Sequence, residues 1–398
     1  MFNQLYKSKK TAPGPATVYF LDWMHDQVLQ PEIEQRVGKL FERLVKIASP
    51  LGRLKTTPQS PPFHAEGDMV ADHVKRILCG LDAFERGASL VTVEEFAREK
   101  DYVLEFMELE NTLLSQADLL SAYAVCHDVA KADALFFEAL PGSKGEAEGF
   151  VSRPSRLATE PELIRYDKLR RAHEASGSAQ SFFETYGIIV HYPEHGRRGA
   201  SDEYATTREA VLDALDVSPS KAKLFTELIR CHMEVIQGFS KGPDPVKYTA
   251  LAAIAERAGL NTPVFLDLLP ATVFLDSVLG SLVYVNGTYS ADIHILLNLF
   301  RSEREARPER HAAREEALRR GRKTALRDAL KQAKIDADTV FELLKTPYGP
   351  VRGEVMTKVH ELIRNPEGKS NFAEHTEELR RRAHVAHKLL SEQDLTLE

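Results

Sequence analysis

Cysteine is scarce in this chain: three in 398 residues, an odd number with no close spacing. That excludes a disulfide framework and fits a reducing compartment, so a cytoplasmic location is expected. The first ten residues, Met1 to Lys10, lack the apolar core of a signal peptide. Long hydrophobic runs are missing too. The most apolar region, 264–285, is interrupted by Asp267, Pro270 and Asp276, which reads as a buried helix pair and gives no reason to expect a membrane partner. Positive charge is not in excess: 52 Lys and Arg face 59 Asp and Glu, a net charge of −7. Such a chain has no global attraction for nucleic acid, and contact with RNA or DNA would need a local basic patch. There is no Gly-x-x-x-x-Gly-Lys-Ser/Thr loop, no Gly-x-Ser-x-Gly and no dinucleotide-binding glycine run. Those absences exclude the corresponding kinase, serine-hydrolase and nicotinamide chemistries.

What is there is helical. Few runs alternate with period two, whereas apolar residues recur at three- and four-residue spacing. Helices are expected near 17–48, 68–81, 93–109, 111–138, 161–186, 203–215, 219–238, 246–258 and 263–285, with Asp68 as N-cap of the second. Loops are expected around Pro58 to Pro62, over 141–160 and over His191 to Gly199. From Arg301 to Lys334 the chain turns into a charged helical stretch with basic residues in excess, followed by a small helical region around the loop Thr346 to Pro350. The fold class is therefore all-α, divided into a helical segment 1–59, a main domain 60–299 and a linker with a C-terminal region 300–398.

The chemistry is concentrated in His127 and Asp128, which sit in the apolar run Ala124 to Ala130. A buried carboxylate is expensive unless something cationic neutralises it, and a divalent metal does so. Other candidates lie on apolar helical stripes: His73 beside Val70, Val74 and Ile77; His173 after Tyr166 and Leu169; His232 after Phe225 and Leu228; Asp276 within Val273 to Leu279. Each alone is more often a hydrogen-bonded core residue. The series His, His-Asp, His, His, Asp points instead to a metal site. Mixed imidazole and carboxylate donors suit Mn, Fe, Co, Ni or Zn. One or two ions could be held, and two can clamp the attacking and leaving oxygens of a phosphoester.

These residues resemble the HD superfamily of metal-dependent phosphohydrolases. The stretch from His64 through Glu66, Gly67 and Asp68 to His73 is similar to the entry of the HD domain attached to bacterial CCA-adding tRNA nucleotidyltransferases. Cys126 to Lys131 resembles that family's Cys-His-Asp-Leu-Gly-Lys. Ala172 to Gly177 resembles its Gly-His-Glu segment, and Arg230 to His232 its Arg-x-His. The likeness covers roughly 60–285, with Ala130 and Ala172 where the family has Gly. It implies an HD-domain helical bundle and a metal-activated water attacking phosphorus. A divalent ion (Mn, Fe, Co, Ni, Mg or Zn) would be held by His73, His127, Asp128 and Asp276, with His173 and His232 at a second ion or a phosphate. His64 would lie near substrate.

Lys131, one turn after the His-Asp pair, could offset charge on a phosphate oxygen. Arg153, Arg156, Arg197 and Arg198 lie on the two expected loops and suit phosphate by their fork geometry. Asp133 is a candidate base but reads better as a surface carboxylate, Glu66 as a capping residue, His191 and His195 as surface histidines, and Cys126 and Cys231 as core packing. The expected function is hydrolysis of a phosphoester of a nucleotide or an RNA end, with a phosphorylated small molecule, a nucleotide or RNA or DNA ends as partner. The alternatives are an HD-fold di-iron oxygenase and a nucleotide-sensing module without turnover.

Overall fold

A computed structural model describes residues 19–59, 64, 67–90, 92–174, 179–281, 283–285, 288–290, 293–344, 351–364 and 376–391. The chain forms two compact units, Met1–Pro308 and Glu309–Glu398. Both are mostly helical, and the described strands are limited to two short antiparallel ladders.

In the first unit the periodicity of the sequence becomes burial. Pro31–Ile47 starts with Pro at its first turn, where the missing N–H costs nothing, and buries the stripe Ile33, Val37, Phe41 and Leu44. Its segment is therefore part of the main core, together with Phe20 and Trp23. Val70–Glu85 is apolar on most sides and runs through the interior. Asp68 does not cap it. Met69 is the N-cap, and the Asp72 carboxylate reaches back to accept from its N–H. Asp72 occupies the third helical position, from which that bond is geometrically natural. Asp68 instead pairs with Arg170 at 2.9 Å. Glu66 and the loop Thr346 to Pro350 lie outside the described residues.

Two expected helices end early. The segment 111–138 divides into the end of Val103–Ser115, then Ala117–Cys126, a turn, Lys131–Ala134 and the strand Phe136–Ala139. The expected pair over 263–285 is one helix, Thr262–Val273, that runs into a π-helical turn, Phe274–Gly280, and then the strand Val283–Val285. This stretch, Thr262–Gly280, is long and apolar enough to cross a membrane, but most of it is buried among the other helices.

The expected loop 141–160 is mostly irregular and contains one short helix, Lys144–Ala147; the expected helical stretch 161–186 holds Glu160–Glu174 and Ala179–Tyr186. Phe136–Ala139 pairs antiparallel with Ile188–His191, with Phe136 opposite His191 and Ala139 opposite Ile188. Alternate residues of both strands face a satellite core with Phe150, Tyr166, Phe182 and Tyr186. The ladder returns the chain to the end of the His127-Asp128 turn. There the expected loop 191–199 contains a short helix, His195–Gly199.

His294–Ala306 packs Leu296, Leu299 and Phe300 into the first core, so the division falls at Pro308. The second unit has its own core, including Ala329, Val340, Val359, Ile363 and Leu379 from helices Pro308–Gln332, Ala337–Leu343, Val351–Arg364 and Thr376–Ser391, and Ile335 from the turn between the first two.

Candidate metal centre

Four helices and two turns of the first unit converge on one buried polar cluster. His73 projects from the interior helix and is fully buried. His127 and Asp128 follow the last turn of Ala117–Cys126, where helical carbonyls have lone pairs to spare. His127 Nδ1 donates to two of them, Ala124 O at 3.0 Å and Tyr123 O at 3.2 Å. Its Nε2 is buried and makes no hydrogen bond. That nitrogen faces Asp128 Oδ2 at 3.4 Å and Asp276 Oδ1 at 3.9 Å. His73 Nε2 lies 3.3 Å from the same Asp276 oxygen. Asp276 reaches this position from the π-helical turn, whose extra residue per turn re-aims a side chain relative to the α-helix before it.

A second group shares Asp128. His232 Nδ1 donates to Ile229 O at 2.7 Å, and His195 Nδ1 donates to Tyr192 O at 2.7 Å. Both rings thus present an unprotonated Nε2, and these two nitrogens face each other at 3.0 Å. Two lone pairs at that separation repel unless a proton or a cation lies between them. His195 Nε2 is also 3.2 Å from Asp128 Oδ1. Asp128 therefore turns one oxygen toward each histidine group. Ligand atoms of His73, His127 and Asp128 lie within 4.8 Å of one another, as do those of Asp128, His195 and His232. Imidazoles locked by a backbone acceptor on Nδ1, with Nε2 aimed at carboxylate oxygens, are the donor arrangement of a transition-metal site. These residues fit a divalent ion.

The electrostatics agree. Burial works against the charge on Asp128, but His127, Lys131 and His195 outweigh it and hold the carboxyl well below the usual carboxylate range. Asp276 is likewise held low: burial opposes its charge, and His73 and His127 overcome that. Burial pushes His127 down, and it pushes His232 down to about 3, helped by neighbouring His195 and His127. Neutral imidazoles and ionised carboxylates are the protonation states that bind metal.

Comparison with protein-family models, curated proteins and solved structures finds no match to this chain.

The remaining sequence candidates divide. Lys131 is at the cluster: its Nζ is 2.7 Å from Asp128 Oδ2 and 5.1 Å from the centre of the Tyr192 ring. His64 stands edge-on to His73 with ring centres 5.2 Å apart, and its Nδ1 is 3.3 Å from Ser281 Oγ. It also lines a small pocket with Gln59, Asp68, Tyr166, Arg170 and Phe182. His173 belongs to neither group. Its Nε2 lies 2.8 Å from Ser181 Oγ, and its ring packs between Phe182 and Tyr186 in the satellite region. Its apolar stripe faces that second core, which is why helical periodicity alone misassigned it. The position expected for it is filled by His195, which is buried and not a surface residue. The signal that could have found His195 is the Ile188-Ile189-Val190 run after Gly187, a strand pattern that returns the chain to the interior.

The loop arginines are committed elsewhere or open to solvent. Arg156 is held by Glu162 at 2.8 Å, Arg197 by Glu234 at 2.5 Å, and Arg198 by Glu203 at 3.0 Å, while Arg153 is exposed. Asp133 accepts from Arg53 at 2.6 Å and from the Tyr204 hydroxyl, so it is a structural carboxylate and not a base. Cys126 and Cys231 are buried, and burial raises both thiols, Cys126 to about 12.

Proposed function

We propose that the protein is a metal-dependent phosphohydrolase acting on a phosphoester of a nucleotide or an RNA end, with a binuclear centre held by His73, His127, Asp128, His195, His232 and Asp276. The observation that carries this reading is Asp128 itself, a buried carboxylate between two histidine groups, in which His127, His195 and His232 have Nδ1 occupied by backbone carbonyls. The order of the residues along the chain, like that of the HD phosphohydrolases, supports it. A pair of divalent ions, when bound, supplies a water that ionises near neutral pH and a clamp on phosphoryl oxygens. The chain does the rest. Asp128 fixes both histidine groups at one spacing. Lys131 holds a positive charge at the rim of the ligand set, where it offsets charge developing on a phosphoryl oxygen. His64 stands between the cluster and the adjacent pocket, in position to touch the leaving group.

The test is hydrolysis of bis-p-nitrophenyl phosphate and 2′,3′-cyclic nucleotides by metal-stripped protein reloaded with Mn, Co, Ni, Mg, Zn or Fe(II). Turnover that depends on metal and is lost in Asp128→Ala is the expected outcome. One observation favours a second reading: three of the four loop arginines are engaged by glutamates, which weakens the case for an anionic substrate. A shared carboxylate between histidine groups also suits a di-iron oxygenase. Oxygen uptake with Fe(II), without hydrolysis by any metal, would replace the first reading with the second.

A further inference from the structure

Arg208, on the helix Ala205–Ala214, is a buried cation, and among the described residues no carboxylate lies within ion-pair distance of it. Its Nη1 donates to Gly199 O at 2.6 Å and to Ser201 O at 2.8 Å. Gly199 is the last residue of the five-residue helix that begins with His195, and such terminal carbonyls have no helical partner. Nη1 of a planar guanidinium carries two N–H donors in fixed directions, which suits two diverging carbonyls; a lysine ammonium has three donors but on a shorter, freely rotating stem, and an amide lacks the charge.

The other end of this turn is fixed differently. Glu194 has a left-handed backbone (φ 57°), and His195 Nδ1 donates back to Tyr192 O. Arg198 Nη1 ties the same turn to Asp133 O at 2.6 Å. From the large core helices, His232 meets the His195 ring, with Nε2 atoms 3.0 Å apart, but that contact is between two ligand candidates and does not fix the backbone of the turn. The short turn carries His195, and Arg208 closes that turn.

We infer that Arg208 is the positioning residue of the second histidine group: by holding Gly199 and Ser201 it keeps His195 Nε2 beside Asp128 and His232. Its hydrogen bonds go to the backbone of the turn and not to the ligand atoms. The inference rests on the metal-site reading above, and its test separates the two. Full-length metal-free protein is titrated with Mn(II) calorimetrically, comparing wild type, Arg208→Ala and Arg208→Lys. Wild type takes up two ions per chain. Arg208→Ala keeps one site at wild-type affinity and weakens the other about 10- to 100-fold, the range for loss of a residue that orients a ligand. Arg208→Lys recovers part of the loss, because the ammonium keeps the charge and its donors but ends short of the guanidinium Nη1 and lacks its fixed directions, and it serves as the folded comparison if the alanine variant does not fold. Equal weakening of both sites, or no weakening in folded Arg208→Ala, overturns the inference. If wild type binds no metal, the function reading fails and the imidazole nitrogen shifts of His195 decide instead. A single Nδ1–H tautomer in wild type that becomes averaged in the Arg208 variants supports the inference, and unchanged shifts reject it.

Discussion

At the residue scale, two glycines matter because they let a ring approach. A Cβ built on Gly196 would lie 2.7 Å from His232 Cε1 and 2.8 Å from Ile229 O, and one on Gly280 would lie 2.6 Å from His73 Cε1. Gly196→Ala and Gly280→Ala are each expected to lower stability by about 1–3 kcal/mol, the usual cost of overpacking. Each should also displace the histidine of one group only, which melting curves and metal content per chain would report. His173→Ala is expected to leave metal content unchanged, whereas Asp128→Ala should abolish it, because both groups contain Asp128. A pH effect follows from His232. Its folded value, about 3, is below the ordinary 6.5, so between these the unfolded chain binds more protons. Stability of the metal-free protein therefore holds above about pH 6.5 and is lost as pH falls toward 3. Urea titrations at pH 7 and 5 should show a lower midpoint at pH 5, and His232→Asn should flatten the difference.

At the scale of elements, the two-stranded ladder links the two ligand groups. Phe136–Ala139 leaves the turn that carries Asp128, and Ile188–His191 leads into the turn that carries His195. Phe137 stacks on Tyr166 with ring centres 4.6 Å apart and meets Phe150 edge-on. Phe137→Ala is expected to cost about 3–5 kcal/mol of local stability, as for other buried Phe truncations. Faster amide exchange across 136–191 and loss of one bound ion per chain, with the His73 group retained, would express it. Protection and metal content equal to wild type would show that the ladder does not hold His195.

At the scale of the whole molecule, both histidine groups and the core around them lie before Pro308. The second unit closes its own apolar core from four helices. A chain ending after Pro308 is therefore expected to fold and to bind the same number of ions as the full chain. Elemental analysis and circular dichroism of both would test this, and a shortened chain that folds but has lost metal would refute it.

The all-helical class was legible in the sequence because three- and four-residue periodicity reports burial of a helix stripe directly. For the same reason His73, His127, Asp128, His232 and Asp276, each on or beside such a stripe, could be picked out as residues that meet in the interior. Periodicity says that a face is buried but not against what. His173 was thus misassigned, since its helix faces the satellite core and not the polar cluster. Nor did it show His195, which rides a five-residue helix too short to have a stripe and is brought in by a pairing between strands about fifty residues apart. The partner of Arg197 is chosen by folding, since Glu234 lies 37 residues away, whereas Arg156 and Arg198 pair with Glu162 and Glu203, six and five residues along the chain, through local loop conformations that periodicity does not report. The sequence by itself determined the helices and most of the polar residues in the interior. Only the tertiary structure decided which of them share Asp128, because that depends on where separate turns end in space.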